Sequence, residues 1–259
     1  MAVLTEQANA ALWITISRPE AHNAISSELV DQLIGALDRA ESDGEVRVLV
    51  LTGAGNAFCA GADLKDAFSD LNSSEDHLSS FLEKARRLLS RLRSCPKPMI
   101  AAINGLAIAG GLELALCCDI VIAAESARLG DGHANYGLLP GGGGAVLLPR
   151  LAGTRRAKYI LFTGDTFSAR EMLVAGIVNQ VVPDTQLREA TQALADKIAS
   201  KSPLGIRYLK RIVDDGIELP LETALRLENE TFATYQHSAD LAVGLRAFVE
   251  KRKPEFLGR

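Results

Sequence analysis

No stretch of this 259-residue chain approaches the roughly 20 uninterrupted apolar residues of a membrane span. The nearest, PMIAAINGLAIAGGLELALCCDIVIAA, is broken by Asn104, Glu113 and Asp119. The N-terminus, MAVLTEQANAALWITISRPE, has acidic and polar residues where a secretory signal needs a basic start and an apolar run. The expected location is cytoplasmic, with no membrane partner. A basic excess is missing too: 28 Lys and Arg face 32 Asp and Glu, a formal net charge of -4, and aromatics make up 5% of the residues. That balance argues against a basic, aromatic-laced surface of the kind that grips nucleic acid. Cysteine is sparse. Cys59, Cys95, Cys117 and Cys118 show no CxxC spacing and no histidine at zinc-finger distance, so they read as small buried apolar residues in a reducing compartment. No metal site is expected. The chain also has no repeat of fixed period, no low-complexity linker and no block of like charge.

What is present is the composition of a globular protein with a large core, 47% hydrophobic and 23% charged. ALWITIS (11 to 17) alternates and is β-rich, and VRVLVLTG (46 to 53) is apolar enough for a strand buried on both faces. Between them SSELVDQLIGALDRAESDG sets Leu29, Leu33, Ile34 and Leu37 on one helical face, with serine as cap and Gly44 as stop. A second helix, about 76 to 94, carries Leu78, Leu82, Leu88, Leu89 and Leu92 and ends before CPKP, where proline forbids continuation. PMIAAI (98 to 103) and DIVIAAE (119 to 125) read as strands flanking a turn and a short helix from about 110 to 117. After Pro140 the spacing predicts mostly helix, over 154 to 163, 168 to 175, 185 to 200, 203 to 214 and 218 to 251, with one strand at 178 to 183. The pattern is an α/β core followed by a helical C-terminal part.

Three glycine-rich segments follow apolar strands: TGAGNAFCAGADLKD, NGLAIAGGLEL and GDGHANYGLLPGGGG. Glycine there permits positive φ and close backbone approach, so that free N–H groups can point at a ligand oxygen; tight turns at sheet ends are the plain alternative. GAGNAF has Phe58 where a dinucleotide fold needs its third glycine, and no loop has the lysine and hydroxyl of a phosphate-binding P-loop. Glu113 stands out because a carboxylate in so apolar a stretch costs several kcal/mol unless it is paired, solvated by a site or protonated. It reads as a functional acid or base, with a salt-bridged helix residue as the alternative.

NAFCAGADLKD, NGLAIAGGLELALCCDIVIAAESARLG, GLLPGGGGAVLLPRLAG, TGDTFSAREMLVAGIVNQVVP and AFVEKRKPEF, in this order and spacing, resemble the enoyl-CoA hydratase/isomerase (crotonase) family. The resemblance extends from ISRPEAHNAISSELVDQL to the C-terminus. It implies an α/β, crotonase-like core of repeated β-β-α units over 1 to 195. A helical region over 196 to 259 would build trimers, often paired into hexamers. It implies an acyl-CoA thioester substrate and no separate cofactor, coenzyme A being part of the substrate.

By the same resemblance the thioester oxygen is held by the backbone N–H groups of Ala62 and Gly110. The CoA part would be met by Ala24, Ala62, Asp63, Leu64, Lys65 and Gly110, and its adenine end by Phe248 and Lys251 of the same or a neighbouring protomer. Hydratases of the family use two glutamates; the first falls on Glu113, the second on His133. Histidine, with an ordinary pKa of about 6.5, exchanges protons near neutrality but starts cationic or neutral where glutamate starts anionic or neutral. His133 is then an acid beside the base Glu113, or merely orients a water. Asp131 is a nucleophile, a base or a turn cap, and it stands with Asn135 and Tyr136 as candidates for the acyl pocket. His22, His77 and His237 read as surface residues, and Val243 replaces a third family carboxylate. Enoyl-CoA hydration is the expected reaction; the alternatives are double-bond isomerisation, hydrolysis of a CoA thioester or β-diketone, and a catalytically impaired binding or scaffold member of the fold.

Overall fold

A computed structural model describes residues 1 to 67 and 76 to 259, with side chains from 79 onward in the second span. The side chains of His77 and Leu78 therefore lie outside the described residues. The chain opens with β1 (Val3–Ala8) and β2 (Ala11–Ile16), an antiparallel hairpin pairing Val3 with Ile16 and Ala8 with Ala11. Asn9 turns it at φ 53, a left-handed conformation that asparagine tolerates. α1 (Ser27–Ser42) crosses to β3 (Val48–Gly53), which runs parallel to β2. The Ser26 hydroxyl accepts from the Leu29 N–H at 3.2 Å, and the helix buries Leu29, Val30, Leu33, Ala36, Leu37 and Ala40.

Next come β4 (Ala57–Cys59), α2 (Leu64–Ala67), α3 (Asp76–Arg93), β5 (Met99–Ile103), β6 (Leu106–Ile108) and α4 (Gly110–Leu116). They are followed by β7 (Ile120–Ala124), β8 (Arg128–Gly130), α5 (Gly144–Ala152), α6 (Thr154–Thr163), β9 (Thr166–Ser168), α7 (Ala169–Val174) and β10 (Gln180–Val182). The strands form two sheets, β1-β2-β3-β5-β7-β10 and β4-β6-β8-β9. Each of β3, β5 and β7 in the first sheet is followed at once by a strand of the second, then by helix, which is the β-β-α repeat. Val48 to Leu51 on β3 and all of β5 are buried, as a continuous apolar run in the middle of a sheet requires.

α8 (Leu187–Ala199) lies against β2, β3, β5 and β7. α9 (Pro203–Gly216), α10 (Leu221–Tyr235) and α11 (Ala239–Val249) complete the chain. The helix expected over 218 to 251 is thus two, broken at Gln236 to Ser238, where the Ser238 hydroxyl accepts from the Leu241 N–H at 3.1 Å and starts α11 anew. Strands β1, β4, β6, β8 and β9 and helices α2 and α5 were not expected. Among the described residues no helix is long and apolar enough to cross a membrane.

Candidate active site

The loops that follow β4 and β6 meet at one point. Gly61, at φ 96, turns the chain after β4, and Ile25 and Ala62 form an isolated parallel bridge in which Ile25 N–H donates to Gly61 O and Asp63 N–H to Ile25 O. The bridge leaves the Ala62 N–H out of its ladder. After β6, Ala109 sits at φ 53 and ψ -117, a strained conformation for a residue with a side chain, and turns the chain directly into α4. Gly110, first in α4, has no intrahelical acceptor for its N–H. A Cβ placed on Gly110 would lie 3.5 Å from the Ala62 nitrogen, and one on Gly61 would lie 3.3 Å from the Gly110 nitrogen. Two N–H groups, neither donating to an acceptor among the described residues, therefore lie close together.

They open on a cavity of about 470 Å³. Phe81, Leu82, Leu88 and Leu89 of α3 give it one apolar wall, and Glu113, His133, Asn135, Tyr136 and Thr166 supply polar atoms. Glu113 is 4% exposed. Its Oε1 accepts from the N–H groups of Gly142 and Gly144, both at 2.8 Å, while Oε2 takes no hydrogen bond from the described residues. Burial pushes the Glu113 carboxyl above the ordinary glutamate value, and the repulsion of Asp131 adds to that. The two glycine amides and the attraction of His133 pull it down, without cancelling the rise. The result is a carboxylate clamped by one oxygen, with the other free of hydrogen bonds from the described residues and its proton held more tightly than in an ordinary glutamate.

His133 opens the turn after β8. Its Nδ1 lies 2.9 Å from Asp131 Oδ1, which also accepts from the His133 backbone N–H at 3.2 Å. Burial, the largest single influence, pulls the imidazole down, but the hydrogen bond and charge of Asp131 together with the charge of Glu113 outweigh it and leave the pKa raised. Asp131 does cap the turn, yet it lies behind His133 rather than in the cavity wall.

A match to the family described as "Enoyl-CoA hydratase/isomerase" runs from residue 6 to residue 259. The chain belongs to the enoyl-CoA hydratase/isomerase family. A "Probable enoyl-CoA hydratase" of Bacillus subtilis is 41% identical over 246 residues, covering 95% of this chain and 94% of that protein. A "1,2-epoxyphenylacetyl-CoA isomerase" of Escherichia coli is 37% identical, with 99% and 98% covered. The crystal structure of an enoyl-CoA hydratase from Bacillus anthracis superposes with a TM-score of 0.96 at 38% identity, over 100% of both chains. The fold is accordingly crotonase-like, and the family implies an acyl-CoA substrate.

In this family member the other sequence-predicted residues divide. Ala62, Leu64, Gly110, Asn135 and Tyr136 line the cavity; Ala24, Asp63 and Lys65 do not. Asn135 Nδ2 donates to Gly164 O at 2.8 Å, so its side chain ties down the 164 turn, and Tyr136 is 79% exposed at the rim. Asp63 pairs with Arg18 at 2.8 Å; burial pushes its carboxyl up, and the Arg18 bond and charge with two backbone N–H groups carry it below the ordinary value. Arg18 also donates to Ala24 O at 2.5 Å, so Ala24 and Asp63 are joined through one guanidinium. Lys65 is exposed beside them. Phe248, 84% exposed, and Lys251 lie outside the cavity of their own chain. His22 and His237 are exposed.

Sequence reasoning missed the clamp on Glu113. The GGGG run was visible, read either as amides able to face a ligand or as a tight turn, but two of its amides face a carboxylate 29 and 31 residues earlier. It also missed Arg18 and the apolar wall of α3, whose leucines read only as core. Among the described residues no three His, Cys, Asp or Glu side chains are grouped as metal ligands would be.

Proposed function

We propose that this enzyme adds water reversibly across the double bond of a 2-enoyl-CoA thioester. The observation that carries the reading is the pair of free N–H groups of Ala62 and Gly110 at the edge of an apolar cavity whose wall holds Glu113 and His133. The thioester oxygen accepts from both amides, so that electrons pushed from C3 through C2 come to rest on an oxygen facing preorganised donors; one such donor is worth on the order of 100- to 1000-fold in rate. The Glu113 carboxylate holds a water through Oε2 and takes its proton as the oxygen bonds to C3. The enolate then takes a proton at C2 from the His133 imidazolium, and Glu113 returns its proton to the imidazole through water. Burial raises the affinity of Glu113 for the proton it takes from water, and Asp131 and Glu113 favour the protonated form of His133 that the second step uses.

The CoA arm would leave the cavity past Leu64 and Lys65, over the surface braced by Arg18 and Asp63. Exposed Phe232, Leu245, Phe248 and Val249 on α10 and α11 support packing of these helices on further copies of the chain, which would place Phe248 and Lys251 against a neighbour's CoA.

Isomerisation is the second reading, because Glu113 is the one carboxylate in the cavity wall among the described residues and a single carboxylate can both take and return a proton. The Escherichia coli relative is named as an isomerase. Incubation with a panel of 2-enoyl-, 3-enoyl-, β-keto- and aryl-CoA thioesters, followed by mass spectrometry, separates the readings. Gain of one water from a 2-enoyl-CoA supports hydration; bond migration without mass change supports isomerisation; CoA release supports hydrolysis.

A further inference from the structure

We propose that Asp131 is a positioning residue that holds the Nδ1 proton of His133, so that this imidazole exchanges protons through Nε2 alone. Asp131 is 1% exposed, and Oδ1 receives both the backbone N–H and the ring Nδ1 of His133. Oδ2 is buried with no donor among the described residues. A turn cap needs only the backbone bond. A carboxylate buried this deeply with one oxygen unpartnered keeps its charge undispersed, and the cation able to compensate it is the imidazolium 2.9 Å from the other oxygen.

The geometry fixes the tautomer. With Oδ1 accepting from Nδ1, the neutral ring must carry its proton on Nδ1, leaving Nε2 as an acceptor; the cationic ring adds a second proton at Nε2. Nε2 has no partner among the described residues, and His133 lines the cavity. The charged groups whose fields reach the ring are Asp131 on its own segment and Glu113 on α4. α6, packed on the same turn, carries Arg155, Arg156 and Lys158, all exposed at the surface. Gly144 marks how close the two carboxylates come: a Cβ there would stand 3.3 Å from Asp131 Oδ2 and 3.3 Å from Glu113 Oε1. Two carboxylates and one imidazolium leave the trio with one net negative charge, held as a proton moves between Glu113 and His133.

The inference rests on the functional reading above only in taking His133 as a proton-transfer group, and its test separates the two. Nitrogen-15 NMR of the ring nitrogens in the unmutated protein, assigned with His133→Gln, should show the Nδ1-protonated neutral tautomer at high pH. In Asp131→Asn, whose side-chain oxygen can still cap the turn, His133 should titrate at lower pH and the alkaline limb of the kcat/KM profile should move down with it. kcat should fall on the order of ten- to a hundredfold with little change in KM. An Nε2-protonated neutral tautomer, or a His133 titration unmoved in Asp131→Asn, overturns the dyad. Wild-type turnover and an unchanged profile in His133→Gln would instead remove the role of His133 in the reaction, while the tautomer still decides the pairing.

Discussion

Gly110 and Ala62 approach so closely that a Cβ on Gly110 would stand 3.5 Å from the Ala62 nitrogen and 3.1 Å from the Ile25 Cδ1. The added methyl of Gly110→Ala would project into the space where two free amides point. The variant should fold, because φ at Gly110 is not in the positive region, and the tightest neighbour is the end of a side chain. Its kcat/KM on a 2-enoyl-CoA should fall on the order of 100-fold or more. Near-normal kcat/KM in a folded Gly110→Ala protein would mean that the substrate oxygen goes elsewhere.

Glu113→Gln keeps an oxygen for the two glycine amides and removes the proton acceptor. Turnover should drop on the order of 100- to 10000-fold while acyl-CoA binding, measured by calorimetry, stays close to wild type. Loss of binding along with turnover would make Glu113 a structural carboxylate.

Gly111→Ala tests the fold beneath the site. A Cβ there would lie 1.9 Å from the backbone oxygen of Cys59, which no side-chain rotation relieves. The start of α4 would have to move off β4, at a cost of about 3 kcal/mol or more. Urea denaturation should show that loss, and a wild-type midpoint would contradict the packing described.

His133 ties stability to pH. Its folded pKa is raised, so the folded chain binds the proton more tightly than the unfolded chain. That contribution is complete below the ordinary imidazole value and is lost as pH rises through the folded value. The stability gap between wild type and His133→Gln, from denaturant midpoints, should therefore be larger at about pH 6 than at about pH 9, on either side of the ordinary value near 6.5. A gap that is constant or grows with pH would contradict the ion pair with Asp131.

The elements that could be read in advance are those with a long period and a clear cap. α1 had an apolar stripe and Ser26, and β3 had a run of buried β-branched and aliphatic residues. β1 was unreadable because it is an edge strand with Leu4 to Gln7 exposed, so no face alternates. β4, β6, β8 and β9 are three residues each, too short to show a period, and are held by pairing with strands distant in sequence. α5 hid behind its glycine start and Pro149 inside the helix. At the site, Glu113 was visible as a charge out of place and His133 by resemblance to a glutamate position. The Gly142 and Gly144 clamp, the Arg18 bridge to Asp63 and the unpartnered Asp131 oxygen depend on contacts across the fold, which no local pattern encodes.

The most direct test of the whole account is incubation of the wild-type chain and Glu113→Gln with a 2-enoyl-CoA in oxygen-18 water, with intact CoA esters weighed by mass spectrometry. Wild type should incorporate one labelled oxygen into the acyl chain with the thioester intact, and Glu113→Gln should do so far more slowly. Recovery of unlabelled isomer, or of free CoA with label in a released acid, from the wild-type chain would contradict it.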